Sequence, residues 1–272
     1  IMLPKTIRHL KGEDLKDAIP DKLYISLTDI RMLTKVDLLM LEMLANCNWE
    51  RPLYLAISVG SVSKLKFDNY FVQEGLAFRF TPFDYKKWGD VGENRLYAVD
   101  VERLYDNVMN RYKYGGLDTP GLYLDETTLR TCWYHRRLFA QLAKELIAQG
   151  DNERAKKVLA YAEQVIPGYN VPETHESGSY DIATAYAALG EKTKAVTLAV
   201  HLIAEAEDYI NWAFSLKGNR IEMVRNDCIY KFWQWNQYNE LLKKIDGEKY
   251  KESNRRFEEK YALFAPTMNY KN

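Results

Sequence analysis

Apolar residues in the stretch LAKELIAQGDNERAKKVLAYAEQVIP, Leu142 to Pro167, fall three and four apart on both sides of a Gly-Asp-Asn break. This is the spacing of two amphipathic helices joined by a tight turn. Leu142, Ala143 and Leu146 mark the first helix; Ala155, Leu159 and Ala162 mark the second, which Pro167 closes. Small side chains at Ala143 and Ala155 let antiparallel helices approach closely, and larger ones would force them apart at a cost of about 1–3 kcal/mol. The key letters return at Ile182, Ala183, Tyr186, Gly190 and Ala195. Two such hairpins in tandem carry the tetratricopeptide pattern. Their turn glycines, Gly150 and Gly190, stand 40 residues apart. A tetratricopeptide repeats every 34 or so, which makes NVPETHES an expected insertion. The pattern predicts helices over 126–149 (capped by Asp125), 152–167, 180–189, 192–211, 220–245 and 248–264. The last pair has lost most of the small residues, so the array is a degenerate one of two to three repeats.

The chain before Gly116 alternates differently. DKLYISL, Asp21 to Leu27, reads as a strand, and RPLYLAISVG as a buried strand with Pro52 at its tolerated start. In GLAFRFTPF, Leu76, Phe78 and Phe80 point one way and Ala77, Arg79 and Thr81 the other. RLYAVD is a further short strand, and Lys86 to Asn94 an exposed loop. Thr34 and Asp37 form a capping box ahead of an apolar helix, and VERLYDNVMNRYKYGG is a second helix closed by Gly115 and Gly116. The expected fold is α+β: a small mixed α/β subdomain over 1–116, then an all-α tetratricopeptide-like array over 117–272.

Composition narrows the function. Lys plus Arg and Asp plus Glu both number 38, so no basic excess argues for nucleic acid or an anionic membrane surface. No stretch reaches the roughly 18 apolar residues of a membrane helix, and no signal peptide is present. The chain begins at Ile1, which suggests a processed product or a piece of a longer protein. Cys47, Cys132 and Cys228 lie scattered without a CxxC, which frames neither a zinc site nor a disulfide scaffold.

Chemistry is sparse. His9, His135, His175 and His201 form no HExxH and no pair at i, i+4, and His175 is read as a solvated loop residue. There is no nucleophile elbow, P-loop or dinucleotide fingerprint. Asp125 and Glu126 serve a helix start, and Cys132 lies on an apolar helix face. No catalytic residue, metal site or cofactor is expected. Candidate binding residues are Trp49, Arg51, Glu74 and Arg79 in the first part and Trp235 with Tyr238 in the last. Glu74 and Arg79 suit an ion pair or a polar pocket. Trp235 and Tyr238, at i, i+3 in KFWQWNQY, suit a sugar-stacking strip or helix core.

The succession LTKVDLLMLEMLANCNWERPLYLA, YFVQEGLAFRFTPF, VDVERLYDNVMNRYKYGG and LYLDETTLR resembles the soluble C-terminal region of a domain-of-unknown-function family of very large bacterial membrane proteins. The resemblance spans nearly the whole chain, and the blocks of Trp49, Arg51 and Pro52 and of Glu74 to Arg79 carry it best. The N-terminal part of these proteins looks like a protein O-mannosyltransferase of the GT-C type. The resemblance implies a periplasmic domain tethered behind a membrane glycosyltransferase that uses a lipid-linked sugar. The catalytic acids would then lie in the membrane part, outside this chain. The expected function is non-catalytic: binding acceptor protein or glycan, or organising the complex. The alternative is a cytoplasmic tetratricopeptide scaffold that binds a partner protein.

Overall fold

The computed structural model describes residues 22–25, 27, 30–47, 50–59, 65, 68–88, 97–216 and 220–268. The chain divides into two compact units, Ile1–Lys113 and Tyr114–Asn272.

The first unit opens with α1, Lys35–Asn46. Its capping box forms as the sequence predicts. Thr34 N donates to Asp37 Oδ2 at 2.7 Å, and Asp37 N donates back to Thr34 Oγ1 at 3.3 Å. A four-stranded sheet follows, built from β1 (Tyr54–Ala56), β2 (Phe71–Gln73), β3 (Ala77–Phe80) and β4 (Ala98–Val99) in the order β1-β3-β2-β4. β3 runs antiparallel to both neighbours, with Tyr54 opposite Arg79 and Gln73 opposite Phe78, and β4 lies parallel to β2. Helix α2, Val101–Asp106, is capped by Asp100 Oδ1 on Arg103 N at 3.2 Å and runs into a π-helical turn, Asn107–Arg111.

Several expectations change here. The helix expected to close at Gly115 and Gly116 stops at Arg111. The expected buried strand at 51–60 is a three-residue edge strand whose Tyr54 is half exposed, because only β3 pairs with it. The described part of Asp21–Leu27 is coil. Leu23 and Ile25 pack on the Leu65–Phe80 cluster without joining the sheet, so their alternation reports burial alone. Residues 86–88 of the expected loop belong to one helical turn, Tyr85–Trp88; residues 89–94 lie outside the described residues.

The second unit is helical, as expected. Its elements are α3 (Glu126–Ala148), α4 (Asn152–Val165), α5 (Ser179–Ala188), α6 (Lys192–Ser215), α7 (Arg225–Ile245) and α8 (Gly247–Met268). The pairs α3/α4, α5/α6 and α7/α8 pack as antiparallel hairpins, and α3/α5 and α6/α7 contacts join them. Asp125 caps α3 through Thr127 N and Thr128 N, and Asp151 caps α4 through Arg154 N. Ala143, Ala155, Ala183 and Ala195 are fully buried at the helix contacts. The helix expected over 220–245 is broken after Met223, leaving a separate turn, Arg220–Met223.

The long connection between α4 and α5 is tied down. Arg136, on α3 and buried, sends Nη1 to Pro172 O (2.7 Å) and Ser177 Oγ (3.1 Å), and Nη2 to Ile166 O (3.0 Å) and Val171 O (2.5 Å). Asn170 Nδ2 donates to Leu117 O and Thr119 O at 2.7 and 2.6 Å. The extra residues between the two turn glycines are thus a packed structural element rather than a free loop.

Candidate functional site

Glu74 directly follows β2 and is buried, and two arginines converge on its carboxylate. Arg79 Nε, from β3, lies 2.6 Å from Oε1, a charge contact whose N–H is not aligned for a hydrogen bond. Arg103 Nη1, from α2, donates to the same oxygen at 2.9 Å. The Tyr54 hydroxyl donates to Oε2 at 3.1 Å; burial first, and then the Glu74 charge, push the phenol above its ordinary range. Asn107 Nδ2 holds the Glu74 carbonyl at 2.6 Å. Next in the chain is Gly75, with φ 155°, where a Cβ would stand 2.1 Å from the Tyr112 hydroxyl. That hydroxyl accepts from Leu76 N at 3.0 Å. The arrangement joins β1, β3 and α2 to the end of β2 through one carboxylate that accepts a hydrogen bond on each oxygen. Its geometry is that of a polar tie inside the first unit.

The other candidates separate. Trp49 lies outside the described residues, and Arg51 is exposed. Trp235 is fully buried, with Nε1 donating to Ser253 Oγ at 2.8 Å, and that hydroxyl donates on to Asn239 Oδ1 at 2.6 Å. Tyr238 is buried too. Of the two readings of the KFWQWNQY pattern, these two side chains take the core one: Ser253 and Phe257 of α8 cover Trp235, and His175 and Tyr180 cover Tyr238.

His175 departs from the solvated reading. It is half-buried, with Nδ1 2.9 Å from the Tyr238 hydroxyl, and Tyr180, Tyr230 and Trp233 surround it with ring centroids within 6.0 Å. Burial lowers its affinity for a proton below the ordinary imidazole range. The signal for this was present as the aromatic spacing of Tyr230, Trp233 and Tyr238, but nothing local to THES showed that those rings would fold onto it.

A cleft of about 390 Å³ opens in the second unit among α4, α5, α6 and the connection before α5. Its floor is apolar, from Leu159, Ile182 and Leu198, and its walls carry Glu163, Glu173, Lys194, Thr197 and His201. One wall is tied together. Lys194 Nζ reaches both Glu163 oxygens at 3.0 and 2.8 Å, and the Tyr186 hydroxyl donates to Oε1 at 2.5 Å. Burial and the Glu163 charge hold the Tyr186 phenol protonated far above its ordinary range. The helices of this cleft are legible in the sequence but its lining is not, because the lining comes from five separate segments.

Residues 5–102 match the model of the TMEM260-associated domain 2 family, a domain of unknown function. The match lies within the first unit and includes Tyr54, Glu74 and Arg79 of the tie, while Arg103 and Asn107 and the whole helical unit lie outside it. No curated protein and no solved structure matches the chain. Among the described residues, no helix is long and apolar enough to cross a membrane, and no cluster of three His, Cys, Asp or Glu side chains is placed to hold a metal.

Proposed function

We propose that this chain is a non-catalytic, extracytoplasmic accessory domain of a membrane glycosyltransferase-like protein, and that it holds a segment of the acceptor protein. The cleft of the helical unit carries this reading. It joins an apolar floor to walls with both signs of charge, the combination that seats an extended peptide by side-chain burial and fixes its register by polar contacts. The tether rests on the match of residues 5–102, since TMEM260 is a membrane protein with mannosyltransferase-like features. The first unit supplies the compact, ion-paired base, and the second the recognition surface.

The three free thiols favour a second reading, a cytoplasmic scaffold, because reducing compartments keep thiols unpaired. Cys132 and Cys228 are buried, which protects them in either compartment.

Selection of random peptides from a display library on the whole chain tests the cleft. Enriched peptides should lose binding to Thr197→Trp, which fills the cleft, and to Lys194→Glu, which reverses one wall. A library that yields no binder, or binders indifferent to both variants, overturns the peptide-holding role.

A further inference from the structure

Helix α7 presents aromatic residues on two opposite sides. Trp235 and Tyr238 face inward, whereas Tyr230 and Trp233, one turn apart, stand 45% and 48% exposed. The two outer rings are nearly parallel, at 12°, with centroids 5.5 Å apart. His175 abuts both edge-on, at 6.0 and 5.6 Å, and is itself anchored to the buried Tyr238 hydroxyl. The pair is therefore braced from behind and needs no ligand to order it. Aromatic rings are the side chains that gain most from burial, so two fixed rings half in water make a preformed contact face.

Polar groups flank the rings. Asn226 lies one turn before Tyr230, and Asn236 and Gln237 one turn after Trp233, all at least partly exposed. Glu176, on the neighbouring connection, accepts from Gln234 Nε2 at 3.1 Å and has Lys231 Nζ at 4.0 Å.

We propose that Tyr230 and Trp233 form a stacking platform for a neutral pyranose ring. One face of such a ring is lined by C–H groups and suits an aromatic face. Its hydroxyls both donate and accept, and amides are the side chains that answer both roles. Other occupants fit less well. A cation finds the nearby carboxylates Glu176 and Glu205 already facing Lys231, at 4.0 and 3.5 Å. A nucleic acid finds no basic excess. An amphipathic helix needs a longer apolar strip than Tyr230, Trp233 and the adjacent Ile229 provide. The two platform rings stand on α7, which contributes no residue to the cleft, so their failure leaves the cleft reading untouched.

Saturation-transfer NMR on the whole chain tests it, with the methyl glycosides of glucose, galactose and mannose and the corresponding trisaccharides as probes. At least one probe should bind saturably, with a Kd on the order of 1 mM, as a shallow site allows. Magnetisation should reach the C–H face of the sugar first. Trp233→Ala should weaken binding at least about tenfold and Tyr230→Ala by less, while Trp233→Phe retains part of it. Trp212→Ala removes a second half-exposed indole, on α6, and should leave binding unchanged. If Trp233→Ala loses its native circular dichroism, the Trp233→Phe and Tyr230→Ala pair decides in its place. No saturable binding by any probe, or binding unmoved by Trp233 and Tyr230 variants, overturns the platform.

Discussion

The Tyr238 hydroxyl meets Nδ1 of His175 at 2.9 Å and joins the buried side of α7 to the connection between α4 and α5. Burial holds His175 below the ordinary imidazole range, with Lys231 acting the same way and Glu176 and Asp181 opposing. Burial shifts His135 in the same direction. The folded chain therefore binds fewer protons than the unfolded chain near the ordinary histidine value of about 6.5. This contribution is fully present above that value and is lost as the pH falls through it. Tm should drop between about pH 7.5 and 5.5, and less steeply in His175→Gln. An equal slope in the variant would remove His175 from the account.

Arg136 is a buried cation that donates to carbonyls and a hydroxyl, and burial pulls its guanidinium down to about 10. Arg136→Met should cost about 3 kcal/mol in urea unfolding, since several buried acceptors lose their donor together. Amide exchange should rise first over residues 167–178. Protection there equal to wild type would show that the connection holds itself.

Gly75 and Tyr112 are a matched pair. Gly75→Ala places a Cβ 2.1 Å from the Tyr112 hydroxyl and imposes a side chain on φ 155°. It should destabilise the first unit by about 2–3 kcal/mol. Tyr112→Phe should cost about 1 kcal/mol through Leu76 N. Because the clash and the bond share one oxygen, the double variant should cost less than the two added together. Strict additivity in chemical denaturation would contradict this packing.

Trp233 and Trp235 test the two sides of α7. Trp235→Ala empties a fully buried site and should cost about 3–5 kcal/mol. Trp233→Ala should stay within about 0.5 kcal/mol. Comparable losses in thermal unfolding would place both rings in the core.

Where local signals were strong, the fold was legible. The Thr34–Asp37 box, the Asp125 cap and the alanines at 143, 155, 183 and 195 act through neighbours three or four residues away or through one helix contact. Relationships across the sheet or between hairpins were harder to read. Glu74 and Arg79 were paired in the sequence reading, but Arg103, Tyr54 and Asn107 join them only because β1, β3 and α2 converge. In KFWQWNQY the helix was evident and its orientation was not. Aromatics at 230, 233, 235 and 238 populate both sides, so periodicity alone does not say which side meets α8. The cleft draws on five segments and leaves no local motif.

The most direct test of the central claim is protease accessibility of the domain in intact cells. With an antibody against this chain, spheroplasts of the source cell are treated with protease before and after lysis. The account predicts a membrane-bound band much larger than 31.8 kDa, with the domain digested from outside. A soluble band near that mass, protected until lysis, would contradict the tethered accessory domain and favour the cytoplasmic scaffold.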